Sequence, residues 1–255
     1  MKTIRIYFEG DDDKAILEGL DEAGLLPQGV ELAKRDKGQN PGKDGLIRQL
    51  IPFVHPTTGV GGNAIVLVDL DDLNIDKLTV WFHNQLKSQL QAPVTCELAD
   101  ITHPRLRPFR VISGNEIGNI VLCPVGLPDD ATLRAEYILD RFAIDEYLLR
   151  LVRHGGIYSA VTDFSSLPHA TAMHKLTEVG KLFRDNGIDV SRSKTYMQIL
   201  RAAAQIRPAT ATIAKRLVSK GAKTIPGVEF RELLSPLLDD IHNAVELLIP
   251  DSATS

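Results

Sequence analysis

Ile4-Arg5-Ile6-Tyr7-Phe8-Glu9-Gly10-Asp11-Asp12-Asp13 and Ile65-Val66-Leu67-Val68-Asp69-Leu70-Asp71-Asp72 decide how the chain reads. Each opens as a run rich in β-branched and aromatic residues, the composition of a buried strand, and each ends abruptly in carboxylates. Side chains alternate across a strand, so Asp69 and Asp71 are expected to point one way and Leu70 the other. In an open parallel sheet the carboxyl ends of neighbouring strands share a crevice in which ligands bind. If these two strands are neighbours, Glu9, Asp69 and Asp71 converge there. Packed like charges repel unless something positive sits between them, and clustered oxygen ligands suit Mg²⁺ or Mn²⁺.

Working outward, strand patterns fall at residues 2–8, 30–32, 65–68, 94–98, 109–112 and 120–123. Helical patterns lie between the early ones, at 13–23, 46–54 and 75–90, the last with Leu78, Phe82, Leu86 and Leu90 on one face. Asp11 or Asp12 is the expected cap of the first helix and Gly24 its stop. Residues 36–42 and 57–63 read as loops by their turn chemistry. Alternation of strand and helix predicts an α/β fold with a parallel sheet. After Pro128 only helical patterns remain, at 129–139, 144–153, 166–187, 193–207, 210–220 and 228–248, the last divided by Pro236. The expected organisation is an α/β domain over 1–126 and a helical region over 127–255 packed on it.

Composition excludes several classes. Hydrophobic residues make up 44% and charged residues 24%, as in ordinary globular proteins. Cys96 and Cys123 alone are too few for a disulfide framework or a structural zinc site. No apolar run is long enough to span a membrane and the start lacks a signal-peptide core, so a cytoplasmic protein is expected. The Gly-rich run 58–62 lacks the spacing and the following Lys of a phosphate-binding P-loop. The net charge of −4 is uneven: residues 1–125 carry 17 acidic and 13 basic residues, and the remainder 16 of each. Residues 190–228 hold no acid but eight basic residues: Arg192, Lys194, Arg201, Arg207, Lys215, Arg216, Lys220 and Lys223. A basic run without acids points to phosphate contacts, so DNA or RNA is the expected partner.

The pattern Glu9-Gly10-x-x-Asp13, followed by a strand ending Asp69-Leu70-Asp71, resembles the Toprim domain of topoisomerases, bacterial primases and the overcoming-lysogenization-defect (OLD) nucleases. The resemblance covers roughly the first half of the chain. It implies a Toprim-like sheet and a metal-dependent nuclease, in a context of repair or phage defence. It implies Glu9, Asp69 and Asp71 as ligands of one Mg²⁺ or Mn²⁺, with Asp13 at a second and Glu9 also catalytic. The stretch Asp145-Glu146-Tyr147-Leu148-Leu149 is similar to the helix from which OLD-type nucleases return a carboxylate, and Glu146 is preferred to Asp145. Glu116 is a weaker candidate. Lys194 matches the late lysine that stabilises charge on a phosphate. Arg192, Arg201, Arg207, Lys215, Arg216 and Lys220 would grip the nucleic-acid backbone, and a homodimer or a partner ATPase fits the family. Two other readings stay open. A strand ending Asp-x-Asp also resembles a haloacid-dehalogenase-type phosphatase acting on a small phosphoester, though Asp72-Leu73 stands where that motif has Gly-Thr. The chain also reads as a non-catalytic interaction module on the same fold.

Overall fold

The computed structural model describes residues 3–34, 42–56, 61–100, 103–137, 139–161, 167–206 and 208–249. The chain runs β1 (Ile4–Tyr7), α1 (Asp11–Glu22), β2 (Val30–Leu32), α2 (Lys43–Val54), β3 (Asn63–Asp69), α3 (Ile75–Gln89), β4 (Thr95–Leu98), β5 (Arg107–Ser113) and β6 (Glu116–Val125). Helices follow: α4 (Ala131–Tyr137), α5 (Asp145–Arg153), α6 (Gly155–Val161), α7 (His169–Asp185), α8 (Ser193–Ala203), α9 (Thr210–Thr224), α10 (Gly227–Leu234) and α11 (Leu237–Leu248).

The fold is α/β, built on a six-stranded, mostly parallel sheet in the order β2-β1-β3-β6-β5-β4. The expectation of a wholly parallel sheet is corrected at one edge. β1, β2, β3 and β6 pair in parallel, whereas β5 is antiparallel to β6 and β4 antiparallel to β5. The cause is local: Gly114, at φ +59, turns the chain straight back between Ser113 and Glu116. A turn that short can only join antiparallel strands, because a parallel pair needs a crossover. A second difference is α6, which starts at Gly155 where the sequence reads as a helix end. No described helix is long and apolar enough to cross a membrane.

β3 is central and buried on both faces, as its unbroken apolar run requires. Ala64, Val66 and Val68 face one core, under α2 and α3, with Phe53, Leu78 and Phe82. Ile65 and Leu67 face a larger core that also takes Ile4, Ile6, Leu17, Leu148, Leu217 and Ile241. That second core runs unbroken from the strands into the late helices, so residues on both sides of position 126 share one apolar interior. The chain leaves β1 toward β2 on one side and returns to β3 on the other. The carboxyl ends of β1 and β3 therefore form a topological switch point, where open α/β sheets bind ligands.

Candidate active site

A cleft of about 270 Å³ opens at that switch point, lined by Glu9, Asp12, Asp13, Asp69, Asp71, Asp145, Arg141, Arg192, Ser193 and Lys194 among others. Parallel pairing sets Tyr7 beside Val66, which brings Glu9 to the end of β3. The Glu9 Oε1 accepts the Asp69 backbone N–H at 2.9 Å. Asp13 closes a capping box on α1, its Oδ2 accepting the backbone N–H groups of Glu9 at 2.9 Å and Gly10 at 2.8 Å. Gly10 is thus the N-cap, and Asp11 and Asp12 lie in the first turn rather than capping it. Asp69 Oδ1 accepts the Ile144 N–H at 3.0 Å, tying β3 to the entrance of α5.

Alternation along β3 stops at Asp69. Asp71 has φ +51, in the left-handed region, so Asp69 and Asp71 do not share one extended backbone as expected. Instead Asp71 and Phe142 exchange backbone hydrogen bonds, each 2.8 Å. The Asp71 Oδ2 takes the Lys43 ammonium at 2.8 Å. Gly126 lets this segment come close: at φ +130, an added Cβ would lie 2.5 Å from Phe142 Cβ.

The electrostatics are those of crowded, desolvated acids. Burial pushes the Glu9 carboxyl up to about 7, with Lys43 opposing and Asp13 and Asp71 adding to the rise. Burial, then the charges of Asp13, Glu9 and Asp145, holds Asp69 well above the usual carboxylate range. Asp13 is raised by the same burial. Asp145 is pushed up to about 7 by burial and by Asp12 and Asp13, with Lys194 opposing, and its Oδ1 has no hydrogen-bond partner.

Asp145 rather than the preferred Glu146 lines the cleft. Glu146 is fully buried beside it; its Oε2 accepts the Leu127 N–H and its Oε1 is unpartnered. Successive residues of a helix point about 100° apart, so only one of the two can reach the strand ends. Lys194 reaches the cleft and donates to Asp12 Oδ2 at 2.6 Å. Arg192 lines it also. The other expected phosphate contacts are elsewhere. Lys215 pairs with Glu18 at 3.3 Å and Glu22 at 2.7 Å. Lys220 donates to the Ala160 carbonyl at 3.2 Å, and Arg201 to the Ile206 carbonyl at 3.3 Å. Arg216, like Lys215, is a half-buried residue of α9 and is not part of the cleft lining. Arg207 lies outside the described residues. Glu116 stands in the β5–β6 turn, in another depression with Arg110 and Asn119.

Sequence reasoning missed Lys43, Arg141 and Ser193. For Lys43 a signal existed: a cation in the first turn of a helix opposes the helix dipole, so it needs an anion nearby. Arg141 precedes the Asp71 partner Phe142 and carried no signal.

Among the described residues, no three His, Cys, Asp or Glu side chains stand close enough together to hold a metal ion as placed. The donor chemistry nevertheless suits a hard cation. All the acids are oxygen donors, and each carboxylate has about four lone-pair sites, so a backbone N–H on one oxygen leaves accepting capacity. Comparison with protein-family models, with curated proteins and with solved structures found no match.

Proposed function

We propose that this protein is a Toprim-like phosphodiesterase, dependent on Mg²⁺ or Mn²⁺, that hydrolyses DNA or RNA. The observation that carries the reading is the gathering of Glu9, Asp13, Asp69, Asp71 and Asp145 with Lys194 and Arg192 in one cleft at the β1/β3 switch point. Glu9, Asp69 and Asp71 would hold the cation, with Asp13 beside them. A cation there supplies Lewis-acid activation of water and neutralises charge on the attacked and leaving oxygens. Lys194 would place its ammonium against charge developing on the phosphate, and Arg192 would bind the backbone. Asp145 Oδ1, buried and lifted to about 7, is suited to exchange a proton near neutral pH.

A small phosphoester is the second reading. Its support is the internal engagement of Lys215 and Lys220, which leaves substrate-facing cations concentrated at the cleft. The test is Mn²⁺-dependent cleavage of plasmid DNA, RNA and a generic phosphate ester by wild type and by Asp69→Ala. Cleavage of either polymer by wild type alone supports the nuclease. Turnover of the small ester alone moves the assignment to the second reading, and no turnover of any substrate defeats both.

A further inference from the structure

We propose that the first turn of α8 is an anion subsite that takes a terminal phosphate group. The inference rests on the reading above for its substrate, but the subsite itself binds without turnover. α8 is 11 residues long, its N-cap is Arg192, and no side chain caps it. The first backbone N–H groups of a helix have no partner within the helix and favour anions. Arg192, Ser193 and Lys194 all line the cleft, so this helix start opens onto it.

Independent support comes from Ser193. It is 1% exposed, and its Oγ has no hydrogen-bond partner. A buried hydroxyl left unpaired is costly, so its presence at a cleft wall calls for a partner supplied from the cleft. Two guanidinium groups point to the same ligand. Arg141 and Arg192 are joined by a backbone bridge and line the cleft together, and both charges also act on the exposed Asp189 carboxylate, which is held below its usual range chiefly by its hydrogen bonds with Ser191. Lys194 gives one N–H to Asp12 and has two more to offer. Glu9, Asp12, Asp13, Asp69, Asp71 and Asp145 line the same cleft and would repel a lone anion. The anion is therefore held by the donors grouped at the start of α8, namely Arg141, Arg192, Lys194 and the helix N–H groups, and not by the net charge of the cleft. A terminal phosphate presents three acceptor oxygens and a charge of roughly −2. An internal diester presents two oxygens and one charge, fewer than the donors gathered here.

Calorimetry with inorganic phosphate in EDTA tests this directly. Wild type is expected to bind, and Arg192→Ala to bind about tenfold more weakly, the effect of losing one charge-assisted contact. Ser193→Ala is expected to bind more weakly while melting at an unchanged or higher temperature, because it deletes an unpaired buried hydroxyl. A purely structural serine would leave phosphate affinity alone. A 5′-phosphorylated oligonucleotide, its 5′-hydroxyl counterpart and a nucleoside monophosphate then separate the sources of the phosphate. Preference for the phosphorylated oligonucleotide names a nucleic-acid end, and preference for the mononucleotide names a free monoester; both uphold the subsite. Absent phosphate binding in wild type, or equal binding in all three proteins, overturns it even if cleavage is intact. Phosphate binding that Arg192→Ala weakens, with no cleavage of any polymer, upholds the subsite and defeats the nuclease reading alone.

Discussion

The cleft and the seam between α1 and α9 both set cations from the acid-free stretch against carboxylates of α1, with opposite results. At the seam the charges are matched and partly exposed: Lys215 meets Glu18 and Glu22, and Gly19 lets the helices approach until an added Cβ would lie 2.8 Å from Val218 Cβ. In the cleft the acids outnumber their partners and are desolvated. Glu9 and Asp145 are lifted to about 7, and Ser193 and Asp145 keep unpaired atoms. A run of basic residues therefore counts cations without saying what they meet. Matched, half-exposed charge holds two helices together, whereas unmatched, buried charge is free energy set aside for a ligand.

The largest expected effect falls on the cleft. Asp69→Ala should lower the cleavage rate by about a thousandfold, the scale of several kcal/mol of lost charge stabilisation. Steady-state cleavage in Mn²⁺ reads this, and a drop of less than tenfold would place the chemistry elsewhere.

The seam should break differently. Gly19→Ala forces a methyl against Val218 and the Lys215 carbonyl, which lies 2.9 Å from the added Cβ. Overpacking of this kind costs about 1–3 kcal/mol. Thermal melting should show that loss, while activity per folded molecule stays near wild type. Lost activity with retained stability would erase the distinction between the two regions.

pH dependence sharpens the comparison further. Glu9, Asp145 and Glu146 all have folded pKa values raised to about 7. Between the ordinary carboxylate range and about 7 the folded state holds protons that the unfolded chain has released. Stability therefore falls as pH rises through that window. Asp130, held low despite burial by the Leu133 N–H and Arg150, acts in the opposite sense at lower pH. Melting in EDTA should drop from pH 5.5 to pH 8, and Glu146→Gln should flatten the slope. A rise in melting temperature over that range would contradict the assigned shifts.

The smallest effect belongs to Lys215→Ala. The pair is half-exposed, so its loss should cost no more than about 0.5–1 kcal/mol of stability. The salt dependence of DNA binding should be unchanged, since this ammonium already has two carboxylates. A flatter slope of log affinity against log salt would restore Lys215 to the nucleic-acid interface.

Much of this was legible because short-range chemistry decided it. All six strand patterns fall on observed strands, since β-branched runs ending in turn residues have few alternatives. Glu9 and Asp69 were placed because strand ends in a parallel sheet must meet. Asp71 was misdirected because a positive φ breaks the alternation that the argument used. Asp145 and Glu146 could not be separated without knowing the rotation of α5 against the sheet. The pairing of Lys215 was not legible because its partners, Glu18 and Glu22, lie nearly two hundred residues away in sequence. Antiparallel β5 and β6 were signalled by Ser113-Gly114-Asn115-Glu116, whose brevity outranks the α/β pattern around it.

The central claim is that the buried acids of the cleft are set for a divalent cation, and a calorimetric titration with Mn²⁺ tests it most directly. Wild type should show saturable binding, and Asp69→Asn, which keeps the shape of the side chain and removes its charge, should abolish it or weaken it at least tenfold. Saturable binding of equal affinity in both proteins would contradict the account.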